Sequence, residues 1–155
     1  VSPTQVIGYK GRPHWLLSVE NWTTFSMIAA LDVAQYNGVV LYCGGMPSPS
    51  WRRAYAVVVS ALEASVPVYH WGDMDVGGFR VSAVIAEAIS PRALLPWCMD
   101  LSLVGELDPA TTQMRSRMAY SAQRAGWAHL AAVISSMPPG RLEQEDLPIE
   151  LPSAC

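Results

Sequence analysis

The run His70-Trp71-Gly72-Asp73-Met74-Asp75-Val76-Gly77-Gly78-Phe79-Arg80 constrains this chain more than any other segment, because an apolar strand pattern changes within it to a helical one. Upstream, Val66-Pro67-Val68-Tyr69-His70-Trp71 is aromatic and β-branched, while Phe79, Val81, Val84, Ile85 and Ala88 downstream recur at helical spacing. The two aspartates therefore fall on a strand-to-helix turn, at the carboxyl end of a strand, where open α/β sheets place their ligands. Residues two apart on an extended backbone point to the same side, so Asp73 and Asp75 can converge on one ion. Hard oxygen donors of this kind suit Mg²⁺ or Mn²⁺ rather than zinc. Gly77 and Gly78 permit a sharp turn and let a phosphate approach the amides that open the helix. Aspartates beside glycines are also ordinary turn formers and helix caps, so the pair alone leaves both readings open.

The rest of the chain supplies the other parts of such a sheet. Trp15-Leu16-Leu17-Ser18-Val19 reads as a buried strand with Glu20-Asn21 at its end. Thr23 and Thr24 are expected to cap a helix running through Phe25, Ile28, Ala29 and Leu31 to about Gln35. Gly38 to Cys43 reads as a second strand, closed by Gly44-Gly45 and the Met46-Pro47-Ser48-Pro49 turn, and a helix from about Trp51 to Ala64 follows. Strand and helix thus alternate at the spacing of right-handed βαβ units, which calls for a parallel sheet with helices on its faces. Ala93 to Met99 is expected as a fourth strand, at an edge because Pro96 cannot donate to a ladder, with Asp100 after it. Asp108-Pro109 has the order of a helix start, and the helical stretch it opens runs to about Ser136 with a break near Gly126. No internal repeat or low-complexity segment interrupts this plan.

A chain of 155 residues suits one domain with a single core. Mean hydropathy of +0.20, with 15% charged residues, is rich for such a domain and fits a well-covered sheet rather than disorder. No apolar run approaches the roughly 20 residues of a membrane span. Net charge is −3, with Lys10 the single lysine, which argues against a domain that coats nucleic acid by bulk charge. Cys43, Cys98 and Cys155 have neither disulfide-framework nor metal-ligand spacing and read as reduced thiols of a cytoplasmic protein. Because the chain begins at Val1, it is expected to be a piece of a longer protein.

Glu20 ends the first strand and the aspartate pair ends the third, so one glutamate and two aspartates can meet at one rim. This set resembles the Toprim domain of topoisomerases, bacterial-type primases and several nucleases. It resembles more closely still the C-terminal domain family of JetD, the nuclease subunit of the bacterial Wadjet plasmid-defence system. The blocks that carry the resemblance are Val19-Glu20-Asn21 with Thr24-Phe25, Gly44-Gly45 with Pro47-Ser48, Trp71-Gly72-Asp73-Met74-Asp75 with Gly78, and Leu142-Glu143-Gln144-Glu145. The resemblance implies an α/β Toprim-like domain over residues 1–146, with a central parallel sheet of about four strands flanked by helices and a helical C-terminal extension. Residues 147–155 are expected to be a flexible tail.

The same resemblance implies a bacterial, cytoplasmic endonuclease module whose Asp73 and Asp75 ligate Mg²⁺ or Mn²⁺. Glu20 completes the set as ligand or general acid/base in phosphodiester cleavage. It further implies circular plasmid DNA as substrate, SMC-like Wadjet subunits as partners, a homodimer in the full-length protein, and a DNA-binding or dimerisation region N-terminal to this chain. Relatives among type IIB topoisomerases attack with a tyrosine on a separate domain. Tyr55, Tyr69 and Tyr120 here fall in segments that read as core, so hydrolysis is the expected chemistry.

Other residues keep two readings. Glu143 and Glu145 read either as a second metal site or outer support for a ligand, or as an exposed acidic terminus. Gly44-Gly45 reads as a phosphate-contacting turn or a plain one. Asp100 reads as a cleft acid or a cap, and Arg80, with Arg52 and Arg53, as a DNA-backbone contact or ordinary surface. His70 reads as a core histidine, and Trp51, Trp71, Trp97 and Trp127 as core or subunit-interface residues. Two rival functions fit less of the sequence. A haloacid-dehalogenase-type phosphotransferase or phosphatase expects its Asp-x-Asp after the first strand and a later lysine. A non-catalytic scaffold or dimerisation domain would keep the fold and not need the acids.

Overall fold

The computed structural model describes residues 2–31, 36–99, 112–136 and 148–152. Four parallel strands form one sheet in the order β2-β1-β3-β4: β1 (Trp15–Val19), β2 (Gly38–Tyr42), β3 (Val68–Trp71) and β4 (Leu95–Pro96). Helices α1 (Trp22–Ala29), α2 (Pro49–Ser60) and α3 (Val76–Ile89) make the crossovers, and α4 (Thr112–Arg124) and α5 (Ala128–Ser136) form a helical C-terminal extension. The expected α/β class and four-stranded parallel sheet are thus observed.

The order of strands follows from how much apolar surface each must hide. All five residues of β1 are buried, as a strand covered on both faces and flanked on both sides requires, whereas every residue of the edge strand β2 is only half-buried. The chain leaves β1 for β2 on one side, then returns past β1 to β3 on the other. That reversal makes the carboxyl ends of β1 and β3 the switch point of the sheet, where the crossover helices diverge and leave a crevice. Register is explicit: Ser18 lies opposite His70 and Val19 opposite Trp71, while Val19 also pairs with Tyr42 of β2.

Helix boundaries differ from the sequence expectations in ways their caps explain. Asn21, not Thr23 or Thr24, caps α1, its side chain accepting from both of those threonine amides, so the helix starts earlier. It ends at Ala29 with Ala30 as its C-cap, short of the expected end near Gln35; residues 32–35 lie outside the described residues. Ser48 caps α2 and Pro49 fills the first turn, so that helix begins before Trp51 and ends at Ser60. The fourth strand is reduced to Leu95–Pro96, because Pro96 has no amide to extend the ladder. Its edge position is as expected. Gly126, at φ 85°, separates α4 from α5 where the break was anticipated. Asp100, the Asp108-Pro109 helix start and Cys155 fall outside the described residues.

The core joins Leu16, Leu17, Val19, Tyr55, Trp71, Phe79, Ile85, Met118 and Trp127. Phe79 meets the Trp127 ring edge-on, and the Trp127 indole donates to the Leu94 carbonyl at 2.7 Å, tying the C-terminal helices to the sheet edge. Trp71 and Trp127 are core as expected, while Trp51 and Trp97 are half-buried. Tyr120 is a correction: it is 65% exposed, because α4 buries the stripe Met118, Ser121 and Ala122 and Tyr120 lies off it.

His70 is fully buried, and burial pushes its imidazole pKa down from 6.5 to about 3. The unfolded chain therefore binds a proton between these values that the folded chain refuses. Stability contributed by the neutral ring is complete above pH 6.5 and is lost as pH falls toward about 3, at up to about 1.4 kcal/mol per pH unit. Urea unfolding followed from pH 7 to pH 4 is expected to show this loss, and His70→Gln to flatten it.

Candidate active site at the carboxyl rim of the sheet

Glu20 leaves the end of β1 with its amide still bonded to the Trp71 carbonyl at 3.0 Å, so the parallel ladder runs up to the acid itself. Asp73 lies just beyond the neighbouring strand, and its amide donates to Glu20 Oε2 at 3.4 Å. Met74 is buried, whereas Asp73 and Asp75 on either side of it are half-buried at the surface. Anchoring of Met74 in the core leaves the aspartate on either side of it at the surface, as alternation on extended backbone demands.

Asp75 serves as the cap of α3. Its Oδ1 accepts the Gly78 amide at 2.7 Å, so the bland and the chemical readings of this residue coexist in one side chain. Gly78 is obligatory for a different reason. A Cβ there would stand 2.0 Å from the Asp73 carbonyl oxygen, so only glycine lets the first turn of α3 close under the acid loop.

Gly44 and Gly45 follow β2 at the same rim with φ of 68° and 72°, the left-handed region that favours glycine. The adjoining Cys43 thiol is pushed up to about 12, chiefly by burial and then by the charge of Glu20. Arg80 is exposed on α3, one turn past the Asp75 cap. Glu143 and Glu145 lie outside the described residues.

The structure therefore brings the Glu20 carboxylate to the Asp73 backbone amide, while Asp75, two residues on, is turned toward its helix. Among the described residues no three His, Cys, Asp or Glu side chains converge as they stand into a set able to hold a metal ion. The donor chemistry fits a hard divalent cation, since all three candidate side chains are carboxylates on the outward side of the switch point. The Gly78 amide occupies Oδ1 of Asp75, which leaves Oδ2 for ligation unless the carboxylate turns away from its cap.

Two features of the rim went unread in the sequence. Trp22, 61% exposed, leans on Phe25 and Tyr42 to form an aromatic ledge beside Glu20. Its signal was the position of Trp22 two residues after the acid. Beneath the acids lies a buried polar cluster of Ser18, His70 and Tyr55, signalled only by one polar residue in each of two apolar strands. A cleft of about 640 Å³ lies far from the acids, at the other end of α3, and is lined by Ala86, Pro91, Leu94 and Trp127.

Over residues 2–154 the chain matches the family described as Wadjet protein JetD, C-terminal. It is also similar to the Wadjet protein JetD of Bacillus cereus (strain Q1), at 29% identity over 89 residues. That alignment covers 56% of this chain and 20% of the relative, so the chain corresponds to a minor part of a much longer protein.

Gly78→Ala is expected to push the Asp73 loop away from α3 and to separate Asp73 from Glu20 while the sheet persists. Hydrogen exchange should show faster exchange at residues 72–78 and unchanged protection in β1.

Proposed function

Because the chain belongs to the family of Wadjet protein JetD C-terminal domains, we propose that it is the Mg²⁺- or Mn²⁺-dependent DNA-cleaving module of a Wadjet defence protein, with a Toprim-type acid set of Glu20, Asp73 and Asp75. The observation that carries the reading is the bond from the Asp73 backbone amide to the Glu20 carboxylate, which sets the two acid-bearing residues side by side at the switch point of the sheet. A divalent cation held by these carboxylates supplies positive charge to the scissile phosphodiester and its leaving oxygen.

The chain's own residues divide the remaining tasks. Asp73 and Asp75 act as ligands, and Glu20 acts as ligand or as the group that takes a proton from the attacking water. The left-handed Gly44-Gly45 turn offers backbone amides to a phosphate, and Arg80 offers a cation one turn along α3. Glu143 and Glu145 are candidates for outer support of the ligands. Hydrolysis is favoured over tyrosine attack from within the core because Tyr55 is buried and its hydroxyl is engaged with Ser18.

The acidic balance of the chain leaves it poorly suited to grip DNA alone. Circular DNA held by SMC-like partners, and a homodimer built by a longer protein, fit that deficit. A scaffold role draws on one observation, the use of Asp75 as a helix cap.

Asparagine caps helices about as well as aspartate, so Asp75→Asn separates the two readings. Incubation with supercoiled plasmid and Mn²⁺ is expected to give nicked or linear product with the native protein. Glu20→Gln, Asp73→Asn and Asp75→Asn should each lower the rate on the order of 100-fold or more with melting temperature retained. Undiminished cleavage, or undiminished plasmid defence in cells carrying Asp73→Asn, rejects the acid set.

A further inference from the structure

Gly72 stands on β3's continuation where the β1–β3 register would place it opposite Glu20. A Cβ on Gly72 would lie 2.9 Å from Glu20 Oε2 and equally 2.9 Å from His70 Nε2. The two atoms therefore flank one point, within twice that distance of each other, and the missing side chain is what lets them share it. His70 is 0% exposed, and its Nε2 has no hydrogen-bond partner. An unpaired buried ring nitrogen is costly, so its retention beside a carboxylate calls for a reason.

The ring's other nitrogen is fixed from below. His70 Nδ1 lies 2.9 Å from Ser18 Oγ, and the Tyr55 hydroxyl donates to that same oxygen at 3.3 Å. With Tyr55 as donor to Ser18, the serine's one proton goes either to the Tyr69 carbonyl at 3.2 Å, with Nδ1–H donating to Oγ, or to Nδ1 at 2.9 Å, with the ring's proton on Nε2. The Glu20 carboxylate on the far side of the Gly72 point favours the second arrangement, in which Nε2–H faces the acid rim.

We propose that His70 is a positioning residue for Glu20, its Nε2–H serving as a second donor that takes the carboxylate from beneath while the Asp73 amide holds it from the side. The Tyr55–Ser18–His70 relay accommodates this tautomer, and Gly72 keeps the path open. Glu20 is thereby aimed outward at the rim with one oxygen restrained. This inference rests on the reading of Glu20, Asp73 and Asp75 as the reacting set.

Two substitutions dissect the ring. Asparagine reproduces the Nδ1 end and lacks anything at Nε2, whereas glutamine carries an amide nitrogen to the Nε2 position. Plasmid cleavage in the presence of the DNA-holding partners, and calorimetric Mn²⁺ binding, are measured for the native protein, His70→Asn, His70→Gln and Glu20→Gln. The expected result is a 10- to 100-fold lower kcat in His70→Asn with KM for DNA little changed, weakened Mn²⁺ affinity, and recovery of most of both in His70→Gln. A His70→Asn protein with native turnover and native Mn²⁺ affinity, beside an inactive Glu20→Gln, overturns the role of His70 alone. An active Glu20→Gln overturns the acid set itself. Should both histidine variants lose their circular-dichroism signature, Ser18→Ala reads the same relay from its other end: a several-fold loss of kcat supports the proposal, and unchanged kcat overturns it.

Discussion

The parallel pairing of β1 with β3 is the constraint on which the rim depends. Val19 opposite Trp71 places the next residues of both strands side by side, and the Glu20 amide continues the ladder to the Trp71 carbonyl. A shift of that register by one residue would turn Glu20 to the opposite face of the sheet. The register is held by burial on both faces, since Leu16, Leu17, Val19, Val68 and Trp71 are all nearly inaccessible. Placement of the acids is thus a by-product of core packing, and it stays fixed as long as the core does.

Close approach is the second requirement, and glycine meets it twice. Gly78 admits the carbonyl of Asp73 against the first turn of α3, and Gly72 admits Glu20 and His70 to a common point. Both glycines lie in the stretch that carries the aspartates. Spacing such as Gly72-Asp73-Met74-Asp75 with Gly78 therefore encodes geometry as well as ligands: each acid stands beside the position where a side chain would obstruct it.

Much of this was legible in the chain. Alternation of Trp15–Val19, Gly38–Cys43 and the stretch before Asp73 with helical periodicity sufficed for a parallel α/β sheet, because buried strands and amphipathic helices leave distinct periods. Adjacency of β1 and β3 was less direct, since order within a sheet depends on which crossover passes which strand, a property of the whole chain. The starts of α1 and α2 were missed by two or three residues because several capping residue types stand together at each start. Exposure of Tyr120 was missed because the side on which an aromatic falls depends on where the buried stripe of α4, Met118, Ser121 and Ala122, lies. The Ser18–His70 contact was illegible for a different reason: two polar residues 52 apart in sequence become register partners only through the sheet.

Asp75 shows how small a conflict between folding and chemistry can be. Its bond to the Gly78 amide satisfies one of the orphan donors at the start of α3, and such a cap contributes about 1 kcal/mol. If the carboxylate turns outward to bind a cation, that amount is subtracted from binding, and a factor of ten in affinity corresponds to about 1.4 kcal/mol. The cost is therefore less than one order of magnitude in affinity, and it shrinks further if one oxygen keeps the cap while the other ligates. A helix cap at this position does not compete seriously with a ligand role. It fixes Asp75 at the start of α3, two residues after Asp73, on a rim that the β1–β3 register has already set beside Glu20.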